Sequence, residues 1–449
     1  MLGTQTRPNV LYIDCHDLGV FLGCYGQSCV RTPNIDRLAD QGARFTQYIA
    51  AAPICMPSRA ATYTGRMPHS TGVTGQDPLN EDERCVASRF LDGGYETFLC
   101  GNLMVLNDPE WAGFQTIFRG KEPEELAVDY LGSLSVRADK PFFLSVSFML
   151  VHRPFGERYE DGIPARIEVP PYLPDHPAVR KDLATLCKQV EILDTRIGRI
   201  LSALEETGLR DSTIVVFTTE HGPAIARAKH TLYDAGLKIA LLIRHPLGIE
   251  QGVVADQLLS NIDLLPTLMD LCDLEIPETI HGRSFAGVLA GNPEGGRKAV
   301  FSEQTWGRRS GNWFYTPARS IRTTRYKYIH SFRRIPYYVD NGWLTRFKND
   351  TSPVERAFSQ PVPEGQLFDL DADPFELVNL SDRTKHKSVG DDLRLRLFGF
   401  LRNTEDPILS GKVPNKENMP DVPQWIEQSD GTFVLGTNDP IDTREIPFT

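Results

Sequence analysis

In the stretch APICMPSRAATYTGR (52–66), Cys55 is followed closely by Pro57, Ser58 and Arg59, and then by Thr64, Gly65 and Arg66. A buried structural cysteine needs no such neighbours. A metal-binding cysteine usually has a second Cys or a His a few residues away, and this stretch has neither. Two other stretches set carboxylates beside imidazoles: DCHDLG, with Asp14, His16 and Asp17, and EHG, with Glu220 and His221. Oxygen-rich sets of this kind suit Ca2+, Mg2+ or Mn2+, and the imidazoles shift them towards Mn2+ or Zn2+. Cations stand nearby in sequence. Arg227 and Lys229 follow Glu220, Arg59 lies in the first turn of a predicted helix beginning near Cys55, and His152 sits just past an apolar run. A divalent metal, two or three cations, a histidine and a cysteine make a site for a tetrahedral oxyanion. Each cluster alone also fits ordinary strand-end solvation, so the fold has to bring them together for this chemistry.

The elements that position them alternate between strand and helix. NVLYIDC (9–15), GYETFLC (94–100), PFFLSVSF (141–148), STIVVFTT (212–219) and IALLIR (239–244) are short, nearly continuous apolar runs. They read as strands buried on both faces. TPNIDRLADQGARF (32–45) reads as a helix, with Thr32 as N-cap, Pro33 at its first position and Gly42 at its end. Leu183, Leu186, Val190, Leu193, Ile197, Leu201 and Leu204 recur at helical spacing and predict one long amphipathic helix. The pattern is that of an α/β protein with a parallel sheet covered by helices. In such sheets ligands collect beyond the carboxyl ends of the strands, where both carboxylate–imidazole clusters fall. After about residue 315 the strands alternate more and the joins are turn-rich. This predicts a catalytic domain over 1–315 and a smaller antiparallel subdomain with an extended tail over 316–449.

The 449 residues carry a formal net charge of -11, with 41% hydrophobic and 24% charged residues. An acidic chain argues against nucleic acid as partner. No apolar run reaches the roughly 18 residues of a membrane span. Eight cysteines without CxxC or regular spacing predict free thiols. The start lacks a basic n-region followed by an apolar h-region. The expected location is therefore the cytoplasm, or the periplasm or exterior if a leader was trimmed. The last forty residues are rich in Pro, Asp and Asn, and are expected to wrap over the surface or reach a neighbouring copy, which leaves a homo-oligomer open.

Cys55-Met56-Pro57-Ser58-Arg59, continuing to Thr64-Gly65-Arg66, resembles the sulfatase signature C-x-P-S-R followed by T-G-R. The resemblance extends through NVLYIDCHDLG, TPNIDRLADQGARF, FFLSVSFMLVHRPF, FTTEHG, AKHTLYDAGLKIALLIRHP, NIDLLPTLMDL and LFDLDADPFELVNL. It implies an alkaline-phosphatase-like fold, with a large mixed, mostly parallel sheet sandwiched by helices and a smaller C-terminal antiparallel sheet. It further implies that a maturation enzyme oxidises Cys55 to formylglycine (3-oxoalanine). The hydrated aldehyde is then the nucleophile, its second hydroxyl expels sulfate, and a divalent ion, normally Ca2+, is bound. By the same resemblance, His16, Asp17, Cys55, Glu220 and His221 would hold the metal. Arg59 would steady the formylglycine, and Lys229 and His152 would grip the sulfate and assist the leaving group. The wording HRPF, RAKHTLYDAG and TEHG is most similar to the branch of heparan N-sulfatases and related polysaccharide sulfatases, so the implied substrate is a sulfated saccharide.

Three positions depart from the family pattern. His16 stands where the family has an Asp, Glu220 where it has a shorter Asp, and Gly101-Asn102-Leu103-Met104 where it has G-K-x-H. Asp14 shares the face of His16 on an ideal strand and replaces the lost carboxylate only if the strand end is irregular. His69 and His230 are candidates to replace the missing base. Asn102 stands in the substrate position of the missing lysine. Arg319, with Arg322, Trp306, Trp313 and Tyr315, is expected to contact sugar. The alternatives are a phosphonate or phosphate ester hydrolase on the same scaffold, and a degenerate binder of sulfated glycan without turnover.

Overall fold

The structure is a computed structural model and describes residues 7–80, 82–103, 105–106, 109–134, 140–155, 167–245, 251–292, 294–309, 312–333, 361–411, 425–427 and 433–435. Its strands are β1 (Asn9–Cys15), β2 (Ala43–Phe45), β3 (Tyr48–Ile49), β4 (Glu96–Gly101), β5 (Thr116–Phe118), β6 (Phe142–Phe148), β7 (Thr213–Thr219), β8 (Leu241–Arg244), β9 (Val253–Ala255), β10 (Leu259–Ser260), β11 (Val300–Arg309), β12 (Asn312–Arg322), β13 (Tyr326–Ser331) and β14 (Gly365–Asp369). Its helices are α1 (Pro33–Asp40), α2 (Cys55–Thr64), α3 (Pro68–Thr71), α4 (Val86–Asp92), α5 (Pro123–Ser133), α6 (Pro177–Glu206), α7 (Asp234–Leu237), α8 (Leu264–Leu271), α9 (Ala286–Leu289) and α10 (Lys387–Asn403).

Eight strands form one sheet in the order β5-β4-β6-β1-β7-β8-β2-β9. Alternate residues of β1 enter two different cores: Val10 and Tyr12 face one, Leu11, Ile13 and Cys15 the other. Burial on both faces is why the strands read as unbroken apolar runs. The second core is closed by α6, whose Leu183, Leu186, Val190, Leu193, Ile197, Leu201 and Leu204 all pack there, as their spacing predicts. The sheet is mixed because β8 runs antiparallel to β7 and β2, whereas β1, β4, β6 and β7 run parallel to their mutual neighbours. After β7 the chain forms only the four-residue α7 before it turns back. With no crossover helix to return it to the far edge, it re-enters from the edge it left.

The register sets the carboxyl ends of three strands together. Cys15 of β1 pairs with Phe148 of β6 on one side and Thr219 of β7 on the other. The residues that follow each of them therefore share one edge.

The predicted helix over 32–45 is shorter in the structure: α1 ends at Asp40, and 43–45 form β2. Thr32 occupies the N-cap without capping; its hydroxyl donates to Asp36 Oδ1 at 2.9 Å. Gly42 is required by packing, since a Cβ there would meet the Ile243 carbonyl oxygen at 2.3 Å. The smaller sheet is antiparallel, in the order β11-β12-β13-β14. Trp306, Tyr315 and Ile321 of that sheet pack against Leu393, Leu397 and Leu401 of α10. The expected division at 315/316 falls inside β12, because the β11–β12 hairpin already pairs Val300 with Arg322. All eight cysteines are free thiols. Among the described residues no helix is long and apolar enough to cross a membrane. Most of the last forty residues lie outside the described ones, apart from a short pairing of 425–427 with 433–435.

Candidate active site

Cys55 opens α2, preceded by Ile54 in extended conformation. All ten residues of α2 are buried. The helix stops at Gly65, whose φ of 67° is left-handed and whose N–H bonds Ala61 O at 2.9 Å. Ser58 and Arg59 tie the helix to the strand ends. The Ser58 hydroxyl donates to the Glu220 carbonyl oxygen at 2.5 Å, and Asn261 Nδ2 donates to Ser58 O at 3.0 Å. Arg59 Nη1 donates to Asp14 Oδ2 at 2.5 Å and to Ser147 Oγ at 3.2 Å, while Nε donates to Glu220 Oε2. Arg59 thus grips the carboxylates beneath the centre. Tyr63 OH also donates to Asp14 Oδ2, at 2.6 Å. That oxygen is engaged by α2, and Asp14 does not belong to the converging donor set.

His16, Asp17, Cys55 and Glu220 converge, each buried, with one donor atom apiece within 4.8 Å of the others. Consecutive strand residues ordinarily face opposite ways. Here the chain has left β1 at Cys15, and Asp17 adopts a positive φ of 49°, so both His16 and Asp17 reach the site. His16 Nδ1 lies 2.8 Å from Glu220 Oε1. His221 Nδ1 donates to the Gly222 carbonyl at 2.8 Å, which turns Nε2 inward. That nitrogen lies 3.2 Å from Cys55 Sγ, 3.1 Å from Glu220 Oε1 and 3.3 Å from Asp17 Oδ1. Lys229 Nζ donates to both Asp17 oxygens, at 2.8 and 2.9 Å. His152, half-buried, donates Nδ1–H to Arg153 O at 2.6 Å and holds Nε2 4.0 Å from Asp17 Oδ2. Its ring meets His16 edge-on, with centroids 5.7 Å apart.

The electrostatics follow from burial and these neighbours. Burial pushes Asp17 up, but Lys229, His221 and His152 outweigh it and hold the carboxyl at about 2. Burial and Glu220 raise the Cys55 thiol, yet Lys229 and His221 bring it well below the usual thiol range. Burial disfavours the charged form of His221, but Cys55 and Glu220 raise it to about 10. The hydrogen bond to Cys55 is the main cause raising His152, against its burial. The set can hold a divalent cation: His16, Asp17, Cys55 and Glu220 bring one donor atom each into a buried centre, and His16 Nδ1 faces Glu220 Oε1.

A family model described as Sulfatase matches residues 8–274. The chain belongs to the sulfatase family. A second model, N-sulphoglucosamine sulphohydrolase, C-terminal, matches 225–361. An ulvan-active sulfatase of Formosa agariphila is 29% identical, covering 98% of this chain and 87% of that protein. The N-sulphoglucosamine sulphohydrolase of Homo sapiens is 25% identical over 90% of this chain and 92% of that one. A solved structure containing D-glucosamine-2-N,6-O-disulfate as its substrate superposes with a TM-score of 0.71 at 19% identity, covering 92% of this chain and 100% of that one. At that identity the likeness concerns the fold. Sulfatases are sulfuric ester hydrolases that generally use formylglycine and a divalent metal.

Other residues of this sulfatase singled out from sequence lie apart from the cluster. His69 and Arg319 belong to a separate buried group: His69 Nδ1 lies 2.5 Å from Glu303 Oε2, and Arg319 donates to Asp406 at 2.6 and 3.0 Å. With only 1% of Arg319 exposed, its expected contact with sugar is corrected to an internal ion pair. The same holds for Arg322, paired with Asp234 at 3.1 Å, and for Trp306 and Tyr315, which face the core under α10. The side chain of Trp313 and all of Met104 lie outside the described residues. Asn102 is exposed at the end of β4, and its carbonyl accepts from Ser147 Oγ at 3.0 Å. His230 is buried and lines a cavity of about 50 Å³ between the loop after β7 and the smaller sheet. Sequence reasoning missed Ser58, Tyr63 and Asn261. Only the Ser58 place in the C-x-P-S-R run marked any of them.

Proposed function

We propose that this sulfatase removes sulfate, O- or N-linked, from a sulfated carbohydrate, with Cys55 as formylglycine and a divalent ion held by His16, Asp17, Glu220 and His221. One observation carries the reading: the Cys55 side chain stands at the mouth of a helix, in contact with His221 and Asp17, where three strand ends meet. An ion held there would offset the negative charge of the sulfate, and formylglycine hydrate at position 55 would supply one hydroxyl for attack on sulfur, releasing the sugar, and a second whose deprotonation would break the C–O bond to the bound sulfate and restore the aldehyde.

The chain's own residues provide the rest. Lys229 is a buried ammonium beside the nucleophile, placed to hold sulfate oxygens as well as Asp17. His152 keeps Nε2 towards the centre because Nδ1 is fixed on a backbone carbonyl, so it can protonate the departing sugar oxygen or nitrogen. Arg59 keeps Glu220 oriented by holding one of its oxygens, and Ser58 keeps α2 against the end of β7. Names of relatives support the saccharide class: an ulvan-active sulfatase and an N-sulphoglucosamine sulphohydrolase.

The decisive test begins with the mass of the peptide containing Cys55. Conversion to formylglycine makes it lighter. Converted protein is then assayed for sulfate release from O- and N-sulfated saccharides and from matched aryl sulfate and phosphate esters. Sulfate release that disappears in Cys55→Ala is the expected result. A clear preference for the phosphodiester would overturn the sulfatase reading, and converted protein that binds sulfated glycan without turnover would replace it with a binder.

A further inference from the structure

We propose that this centre is built for a borderline d-block ion, Zn2+ before Mn2+, and binds it in preference to Ca2+ or Mg2+. The inference rests on reading the cluster as the sulfatase metal centre, and departs from Ca2+, the ion implied by the family resemblance.

The donors decide it. Ca2+ takes roughly 6–8 oxygen ligands, and Mg2+ also seeks oxygen. Two carboxylates reach this cluster, Asp17 and Glu220. Glu220 has one oxygen to offer, because Arg59 Nε occupies Oε2. Both Asp17 oxygens already carry Lys229. Asp14, which would have added a carboxylate, has its Oδ2 held by Arg59 and Tyr63 and does not belong to the converging donor set.

Against this poor oxygen set stand two imidazoles. With Nδ1 donating to Gly222 O, His221 turns its Nε2 towards Cys55, Glu220 and Asp17, and an ion bound there would displace the Nε2 proton. The carbonyl fixes the ring as a backbone oxygen fixes many metal-bound histidines. His16 is fully buried, and its Nδ1 lies 2.8 Å from Glu220 Oε1. A cation drawn between that nitrogen and that oxygen would take the place of their pairing. Two imidazole nitrogens and two carboxylate oxygens, with the residue-55 side chain as a fifth donor, favour Zn2+ over Mn2+ in the usual affinity order, and both over Ca2+.

The experiment uses full-length protein stripped with chelator and titrated calorimetrically with Zn2+, Mn2+ and Ca2+ separately, with metal content measured after dialysis. Zn2+ is expected to bind on the order of 10²-fold more tightly than Ca2+, with Mn2+ between them. His16→Asp, which exchanges a nitrogen for an oxygen donor, is expected to narrow or invert that ratio. If this variant does not fold, Mn2+-loaded wild type examined by pulsed electron paramagnetic resonance still reports directly, and imidazole nitrogen couplings are expected. Ca2+ bound as tightly as Zn2+, or Mn2+ bound without nitrogen coupling, would overturn the proposal. Sulfate release is scored separately. Turnover with tight Ca2+ binding removes this inference and leaves the sulfatase reading standing, whereas protein that binds none of the three ions removes both.

Discussion

At the scale of single residues, the site is a set of charges that neutralise one another at close range. Lys229 faces both oxygens of Asp17 in a place without water access. Removing one such preorganised contact costs on the order of 10²–10³ in rate. Lys229→Ala is therefore expected to lower kcat/KM for sulfate release by that factor, read from initial rates on fully converted protein. His152 gives a pH-dependent counterpart. With the thiol in place its pKa is raised, chiefly by the hydrogen bond to Cys55, and Asp17 acts in the same direction. A group that works by donating a proton is active below its pKa, so activity of the converted enzyme should fall as pH rises through the pKa of His152. In His152→Gln this alkaline limb of the kcat profile should vanish while the acid limb stays. The carboxylate side has the opposite sign. Asp17 is held at about 2, below the usual carboxylate range, so its ion pair stabilises the fold at neutral pH and is lost only as pH falls towards that value.

At the scale of elements, α2 is the part that everything else positions. Its end depends on Gly65, which is left-handed and has no room for a side chain: a Cβ would lie 2.7 Å from Ile280 Cγ2. Gly65→Ala is expected to cost about 1–3 kcal/mol, read from the midpoint of urea unfolding. The strands, the long α6 and the start of α2 were legible because burial on one or two faces imposes a period on the sequence. The antiparallel course of β8 was not, since IALLIR has the same composition whichever way it runs. The end of α1 was hidden for a related reason: Gly42 is placed by the Ile243 carbonyl, which is remote in sequence. Within the site, the clusters at 14–17 and 220–221 were visible because each is local. The division of labour inside the first cluster was not. Asp14 goes to Arg59 and Tyr63 while His16 and Asp17 go to the centre, a choice made by residues 45 and 49 positions from Asp14.

At the scale of the whole molecule, the larger and smaller sheets are joined by buried charge. His69 on α3, Glu303 on β11, Arg319 on β12 and Asp406 after α10 form one ion-paired group. His69 Nε2 faces the Thr404 carbonyl at 3.2 Å and Nδ1 faces carboxylates, so both nitrogens have acceptors before them, an arrangement that favours the charged ring. Burial lowers its pKa, but Glu303 outweighs it. His69→Ala leaves a buried carboxylate without its partner and is expected to cost about 3–5 kcal/mol in chemical unfolding. Because the folded pKa is raised, that stabilisation is complete below the ordinary histidine range and declines as pH rises through the raised value. From sequence, Arg319 looked like a surface cation ready for sugar. Its partner Asp406 lies 87 residues away, and only the assembled chain shows that the charge is internal.

The burial of every residue of α2 also fixes an order of events in time. The Cys55 side chain is enclosed by the same packing that gives it a purpose, so an enzyme large enough to oxidise it could not approach once the helix has docked. On the proposed reading, conversion of Cys55 would come before folding. A chain folded with its thiol intact would then stay inert for as long as it stayed folded, and the proportion of active molecules in a preparation would record a race between a maturing enzyme and collapse of the nascent chain.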